Sequence, residues 1–149
     1  MKETKITALY ERVATKDRLS EESYSITIQK ELLEDYATVH GFGNIEHFTD
    51  DGFTADIRSD ADRPGFARMM SEIEAGNVGV CICRDMSRLG RGIISIVGCI
   101  VTMMANGVRL IAVVDSYDSN KDEDEWKTQD TVRNKISGLG MTQVRKRTA

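Results

Sequence analysis

Short apolar runs alternate with longer segments of helical periodicity along most of this chain of 149 residues. The predicted strands are residues 6–13, 45–48, 78–83 and 108–114, and the predicted helices are residues 23–40, 64–75 and about 87–105. Such alternation predicts an α/β fold: a mainly parallel sheet of four to five strands with helices on both faces. With the strand order 2-1-3-4, we expect a ligand beyond the neighbouring carboxyl ends of the first and third strands.

The segment 84–91, with the sequence R-D-M-S-R-L-G-R, is the most informative about function. On a helix, Arg88 and Arg91 lie three residues apart on one face and can converge on a single anion near backbone N–H groups. Cations in a first helical turn oppose the helix dipole, and an anionic partner would offset that cost. We therefore expect a phosphate site that also includes Arg12, rather than two solvated arginines.

Composition limits the other possibilities. The net charge of −4 argues against a chain that coats nucleic acid by bulk charge, so a phosphate site must be local. Cys81 and Cys83 alternate onto one face of a predicted strand, where we expect them to be buried and reduced. No C-x-x-C pair occurs and the two histidines lie in different segments, so no metal is expected. The apolar runs are too short to span a bilayer, and we expect a cytoplasmic protein.

Five motifs occur in the order in which serine recombinases carry them. They are A-L-Y-E-R-V at 8–13, S-I-T-I-Q at 25–29, D-D-G-F-T at 50–54, D-R-P-G-F at 62–66 and D-M-S-R-L-G-R at 85–91. The chain thus resembles the catalytic domain of the resolvases, invertases, large serine integrases and transposases. Its motifs are most similar to those of the large transposon-associated branch. This resemblance implies a catalytic domain over residues 1–115. An acidic loop, a partial helix and a basic tail are expected over 116–149.

The resemblance also implies a reaction. In the family, a serine hydroxyl attacks the scissile phosphodiester of double-stranded DNA and forms a covalent phosphoseryl link, without a cofactor. Protein cations then neutralise the phosphate oxygens, and guanidinium groups suit that geometry. The positions that match the family's catalytic arginines are Arg12, Arg63, Arg88 and Arg91, and the expected supporting residues are Tyr10, Gln29, Thr54, Asp85 and Ser87. The implied assembly is a homodimer that forms a tetramer in synapsis.

Ala14 departs from this pattern, because it occupies the serine position of the family motif Tyr-x-Arg-x-Ser. A methyl group cannot attack phosphorus, so the chain as written is not expected to cleave DNA. Thr15 is expected to face the other way, since adjacent residues of an extended chain point to opposite sides. The alanine is either an engineered inactivation or a natural loss. Thr54-Ala55 in place of the usual Ser-Gly, and a shortened segment at 116–126, favour natural divergence.

Three functions remain open from the sequence. The first is a recombinase catalytic domain without its nucleophile. The second is a non-enzymatic dimerisation or DNA-docking module derived from a recombinase. The third, an unrelated phosphate-binding enzyme, has no G-x-G-x-x-G or Walker sequence to support it. We expect no sequence-reading module, because neither a helix-turn-helix pattern nor zinc-ribbon cysteines are found. Glycines at 138 and 140 predict a broken terminal helix.

Overall fold

Strands and helices alternate in the computed structural model, which describes residues 4–17, 21–53 and 63–120. The strands are β1 (Ile6–Val13), β2 (Ile45–Asp51), β3 (Val78–Cys83), β4 (Arg109–Ala112) and β5 (Tyr117–Asp118). The helices are α1 (Tyr24–Val39), α2 (Pro64–Glu74) and α3 (Ile93–Ala105). The sheet order is β2-β1-β3-β4-β5, in which the first four strands are parallel and β5 is antiparallel to β4. The predicted α/β class and strand order are confirmed.

Successive side chains of a strand point to opposite faces of the sheet and pack in two separate cores. Cys81 and Cys83 pack in the core under α2 and α3, whereas Ile82 between them packs with Leu33 of α1. Helices therefore cover both faces of the sheet, which explains why the central strand β3 is continuously apolar. The prediction that the two cysteines share a buried face is confirmed.

Strand β2 is longer than predicted, because it continues through Asp51 instead of entering a loop at Thr49. Pairing with β1 holds this polar stretch in the sheet, with Arg12 opposite Asp50 and Val13 opposite Asp51. Asp50 is buried there, and its carboxylate accepts hydrogen bonds from the Tyr10 hydroxyl and the Gly65 N–H. Tertiary pairing thus overrides the low strand propensity of Asp.

The long third helix begins later than predicted, at Ile93 instead of near Ser87. Asp85 accepts a hydrogen bond from the Ser87 N–H, and this cap closes only a short 3-10 turn at Met86–Arg88. Gly92 then has a φ of 87°, which interrupts right-handed helical backbone before α3. The prediction that Arg88 and Arg91 share one helical face is therefore wrong.

The acidic loop predicted to begin the segment 116–149 is wrong at its start, because Tyr117 and Asp118 form the short strand β5. Arg109 neutralises Asp118 through two hydrogen bonds of 2.7 and 3.0 Å. Strand β4 is shorter than predicted, at Arg109–Ala112. The predicted C-terminal helix and basic tail lie outside the described residues. In the part of the chain that is described, no helix has the length and apolarity to cross a membrane.

Candidate functional site

The carboxyl ends of β1 and β3 lie side by side, with Tyr10 paired to Cys83. The chain leaves β3 through the 3-10 turn, which brings Arg88 next to the end of β1. Helix α2 begins at Pro64 and places Arg63 at the same edge of the sheet. Three of the four predicted arginines, Arg12, Arg63 and Arg88, therefore meet at the edge where ligands bind in open α/β sheets.

Arg12 uses its guanidinium to join three segments. Its Nη1 donates to the Phe53 carbonyl at 2.9 Å, its Nη2 to the Ser87 carbonyl at 2.9 Å and its Nε to the Arg88 carbonyl at 3.1 Å. The residue is only 7% exposed. Burial lowers the pKa of Arg12, and the charges of Arg88 and Arg63 lower it further. An arginine remains protonated under such conditions, so Arg12 acts here as a charged brace.

Arg63 and Arg88 complete this brace. Arg63 Nη1 donates to the Leu89 carbonyl at 3.0 Å and lies 3.3 Å from the Arg88 carbonyl. Its guanidinium carbon lies 3.8 Å from the centre of the Phe66 ring. Arg88 Nη1 donates to the Arg12 carbonyl at 3.0 Å. We call Arg12, Arg63 and Arg88 the arginine cluster; its repulsion is offset by the carbonyl dipoles of residues 87–89 and the nearby Asp85.

Two donors of the arginine cluster have no hydrogen-bond partner among the described residues. They are the Nε atoms of Arg63 and Arg88, and both are buried. Arg88 Nε lies 3.5 Å from an Asp85 oxygen, a distance that suits an ion pair better than a hydrogen bond. A buried N–H without an acceptor is costly, and because these two atoms have almost no accessible surface, the exposed part of the Arg88 side chain is what a ligand can reach.

Gln29 and Asp85 hold the arginine cluster from opposite sides. Gln29 accepts the Arg12 N–H at 3.2 Å and donates to the Arg12 carbonyl at 3.0 Å, which fixes the end of β1 to α1. Asp85 accepts hydrogen bonds from the N–H and hydroxyl of Ser87. Burial raises the pKa of Asp85, but the Ser87 hydrogen bonds and the charges of Arg88 and Arg84 hold it below its usual value.

Asp50 also belongs to the site, although it was not predicted as a site residue from the sequence. It accepts hydrogen bonds from the Tyr10 hydroxyl at 2.6 Å and from the N–H groups of Gly65 and Phe66 at 2.7 and 2.9 Å. It therefore caps α2 from a neighbouring strand, while Arg63, at the N-cap position, makes no side-chain cap. Burial and the Asp50 hydrogen bond raise the pKa of Tyr10. The sequence does carry a signal for it: Arg63, the residue before Pro64, has no side-chain acceptor to cap the helix, so a distant residue must supply one.

The glycines of two motifs are explained by close backbone packing. A Cβ on Gly65 would lie 2.6 Å from the Thr49 carbonyl oxygen, so α2 can reach β2 only with glycine there. A Cβ on Gly90 would lie 2.7 Å from the Ser95 Cβ. The D-R-P-G-F and S-R-L-G-R sequences thus place arginines by allowing tight contacts beside them.

The remaining predicted site residues lie at the rim. Ala14 is exposed in the bend that follows β1, two residues beyond Arg12. Ser87 is exposed, and Arg91 is exposed in the bend before α3. Membership of Arg91 in the arginine cluster stays a prediction. Thr54 lies outside the described residues.

A metal centre has no support in the described ranges, where no group of three or more His, Cys, Asp or Glu side chains could hold an ion. At this edge of the sheet Arg12, Arg63 and Arg88 lie together, with Asp50 and Asp85 nearby. The chemistry that this arrangement favours is the binding of an anionic oxygen by guanidinium groups.

Three solved structures are similar in fold to this chain. The catalytic domain of a TP901-1 integrase is similar in fold, with a TM-score of 0.71 and 21% identity over 97% of this chain and 98% of that one. A resolvase family site-specific recombinase from Streptococcus pneumoniae is 26% identical over 97% of this chain and 93% of that one, with a TM-score of 0.69. The C-terminal catalytic domain of ISC1926 TnpA, an IS607-like serine recombinase, has the same fold at a TM-score of 0.60 and 18% identity, over 95% of this chain and 99% of that one.

The sequence comparisons extend this result. An uncharacterized immunity region protein 3 of Bacillus phage phi105 is 34% identical over 73 residues, which are 49% of this chain and 84% of that protein. The family described as Resolvase, N terminal domain, matches residues 7–148. The chain therefore belongs to the resolvase family and matches the N-terminal domain of that family over most of its length.

Proposed function

We propose that this catalytic domain retains the phosphate-binding part of a recombinase site and has lost only its attacking group. The observation that carries the proposal is the meeting of Arg12, Arg63 and Arg88 beside the bend that holds Ala14, where the Arg88 side chain stays partly exposed. A phosphodiester oxygen at that bend would be bound by the exposed part of the Arg88 guanidinium.

The arginines divide the work in this proposal. Arg12 and Arg63 are 7% and 6% exposed and direct their donors at backbone carbonyls, so they position the 87–89 segment. Arg88 is partly exposed and Arg91 is exposed, so they meet the phosphate first. A serine at position 14 would attack phosphorus through Oγ, form an Oγ–P ester and release the deoxyribose hydroxyl. Attack by a deoxyribose hydroxyl would reverse these bonds, so no ATP is required.

Ala14→Ser is the direct test, made in the full chain joined to a DNA-binding domain of known site. We expect a covalent protein–DNA adduct that resists SDS with Ala14→Ser and none with the unaltered chain. Ala14→Gly is the matched control because it changes the same position without adding a nucleophile. If Ala14→Ser binds the DNA but forms no adduct, the site lacks more than its serine and the proposal is wrong.

The alternative function, a non-enzymatic module that pairs with recombinases, is favoured by one observation. Helix α3 has no charged residue, and Ile94, Val101 and Met104 on it are 85%, 57% and 48% exposed. Exposed apolar faces of this kind typically mark protein contacts. A homodimer, and a tetramer on paired DNA sites, are the assemblies that we propose for the chain. Sedimentation and pull-down with an active family member test this, and a strict monomer that ignores that protein would exclude it.

A further inference from the structure

Glu11 is a fully buried carboxylate, and the proposed function does not use it. It lies on β1 between Tyr10 and Arg12, on the face of the sheet that α1 covers. Thr49 Oγ1 donates to Glu11 Oε1 at 2.7 Å, and His47 Nδ1 lies 2.7 Å from Oε2. Burial raises the pKa of Glu11, whereas the hydrogen bonds from His47 and Thr49 lower it. A buried carboxylate of this kind requires a charged partner or a proton.

His47 contacts a second carboxylate as well. Its Nε2 lies 2.5 Å from Glu34 Oε2 on α1. A neutral imidazole has only one N–H, so contacts with two carboxylates need an additional hydrogen. The proton resides either on the imidazole or on one carboxyl group, and it belongs to the coupled set as a whole. We call Glu11, His47 and Glu34 the proton clamp.

Other charges face the proton clamp from each packed element. Lys30 of α1 lowers the pKa of Glu11 by its charge, but its ammonium is bound to Glu22 at 2.6 Å. Arg68 of α2 lies near the His47 carbonyl, at 3.3 Å, and is paired with Glu46 at 2.9 Å. Both cations therefore have carboxylates of their own, which leaves the two glutamates of the clamp as the direct partners of His47.

The clamp joins helix α1 to the edge strand β2, and α1 also carries Gln29, which fixes the backbone of Arg12. We propose that the proton shared by Glu11, His47 and Glu34 fastens α1 to the sheet, and that its loss at raised pH loosens the contact between Gln29 and Arg12. Without the proton, one of the two carboxylates faces a ring nitrogen lone pair. This inference does not depend on whether the chain cleaves DNA.

The sign of the effect follows from proton linkage. In the unfolded chain, a Glu titrates at its ordinary value of 4.5. The pKa of Glu11 is raised in the folded chain, so above 4.5 the folded chain holds a proton that the unfolded chain has lost. Raising the pH therefore favours unfolding until the folded chain has lost this proton as well. One linked proton lowers the folding equilibrium constant by up to about tenfold per pH unit.

Urea unfolding of the full chain from pH 6 to 9, followed by circular dichroism, tests the clamp. We expect the folding constant of the unaltered chain to fall with pH up to about tenfold per unit more steeply than that of Glu11→Gln. Glu34→Gln, at a half-exposed helix position, should lose the same dependence even if Glu11→Gln fails to fold. Glu46→Gln is the matched control on β2 and should follow the unaltered chain. Parallel profiles for the unaltered chain and Glu34→Gln would overturn the proposal.

Amide hydrogen exchange tests the connection to Arg12. The Arg12 N–H donates to Gln29, whereas the Ile6 N–H at the other end of β1 donates to the Asn77 carbonyl. We expect the protection factor of Arg12 to fall between pH 6 and 9 while that of Ile6 stays constant. An unchanged Arg12 protection factor, or equal losses at both amides, would refute the link between clamp and site.

Discussion

Asp50→Asn should destabilise this domain strongly, although Asp and Asn have nearly the same shape. The carboxylate is 1% exposed and accepts hydrogen bonds from the Tyr10 hydroxyl and from the N–H groups of Gly65 and Phe66. An amide presents one oxygen, so its NH2 must face at least one of those three donors. Hydrogen bonds to buried charged groups contribute about 1.5–3 kcal/mol each, and an unpaired donor costs about 1–3 kcal/mol. We therefore expect a loss of about 2–4 kcal/mol in unfolding free energy.

Denaturant titration followed by circular dichroism measures this loss, and Tyr10→Phe provides the matched control. Removing the hydroxyl deletes one donor without changing the acceptor, so it should cost only about 1–2 kcal/mol. Gly65 and Phe66 donate to different oxygens of Asp50, so in the double variant one of these two N–H groups still faces the amide NH2, and the loss should stay above that of Tyr10→Phe alone. A loss below about 1 kcal/mol for Asp50→Asn would refute the assignment of Asp50 as the cap of α2.

Two further predictions concern the segment between β3 and α3. Gly90→Ala should lower the unfolding free energy by about 1–3 kcal/mol, because its Cβ would meet Ser95, whereas Gly98→Ala inside α3 meets nothing within 4 Å and should raise it by about 0.5–1 kcal/mol. Equal effects in the same denaturation experiment would contradict the packing argument. Asp85→Asn should destabilise the chain at neutral pH, because the lowered pKa of Asp85 means that the folded chain stabilises its ionised form. The difference in unfolding free energy between the two chains should vanish as the pH falls below 3.8 and Asp85 takes up a proton. A difference that persists at pH 2 would show that shape, and not charge, matters at this position.

Apolar periodicity predicted most of the fold, because burial on two faces leaves a clear pattern. Strands β1 and β3 have the predicted bounds, since most of their side chains are apolar and pack in the cores on the two faces of the sheet. The end of β2 could not be predicted in the same way. Its last residues, Thr49 to Asp51, are polar, and they stay in the sheet through pairing with β1 and through hydrogen bonds to residues far along the chain.

The start of α3 shows a different limit of sequence reasoning. A continuous apolar run after Arg91 predicts a helix, but it cannot tell where the first stable turn begins. The Asp85 cap and the positive φ of Gly92 divide the predicted helix into a 3-10 turn and α3. Local hydrogen bonds of this kind compete with helix formation at residues that the apolar pattern treats as equivalent.

For the candidate site, the sequence identified residue types but not the direction of their donors. The resemblance to serine recombinases grouped Arg12, Arg63 and Arg88, and in the structure these three residues share backbone carbonyls. Nothing in the sequence indicated that Arg12 donates to three backbone carbonyls, because a guanidinium that binds a loop and one that binds phosphate look the same in a sequence. Glu11 was not recognised at all, since its partners come from β2 and α1.

This geometry changes what the retained arginines mean in a chain without the family serine. Arg12 and Arg63 join the ends of β1, β2 and β3 through hydrogen bonds to the carbonyls of residues 53 and 87–89. Their loss would leave buried acceptors unpaired, which is costly whether or not DNA is cleaved. Their contribution to folding is therefore sufficient to explain their presence, whichever residue stands at position 14. Arg91 is exposed in the bend before α3, where a phosphate can reach it. Replacing Arg91 by Gln should therefore reduce the salt dependence of DNA binding by about one phosphate contact.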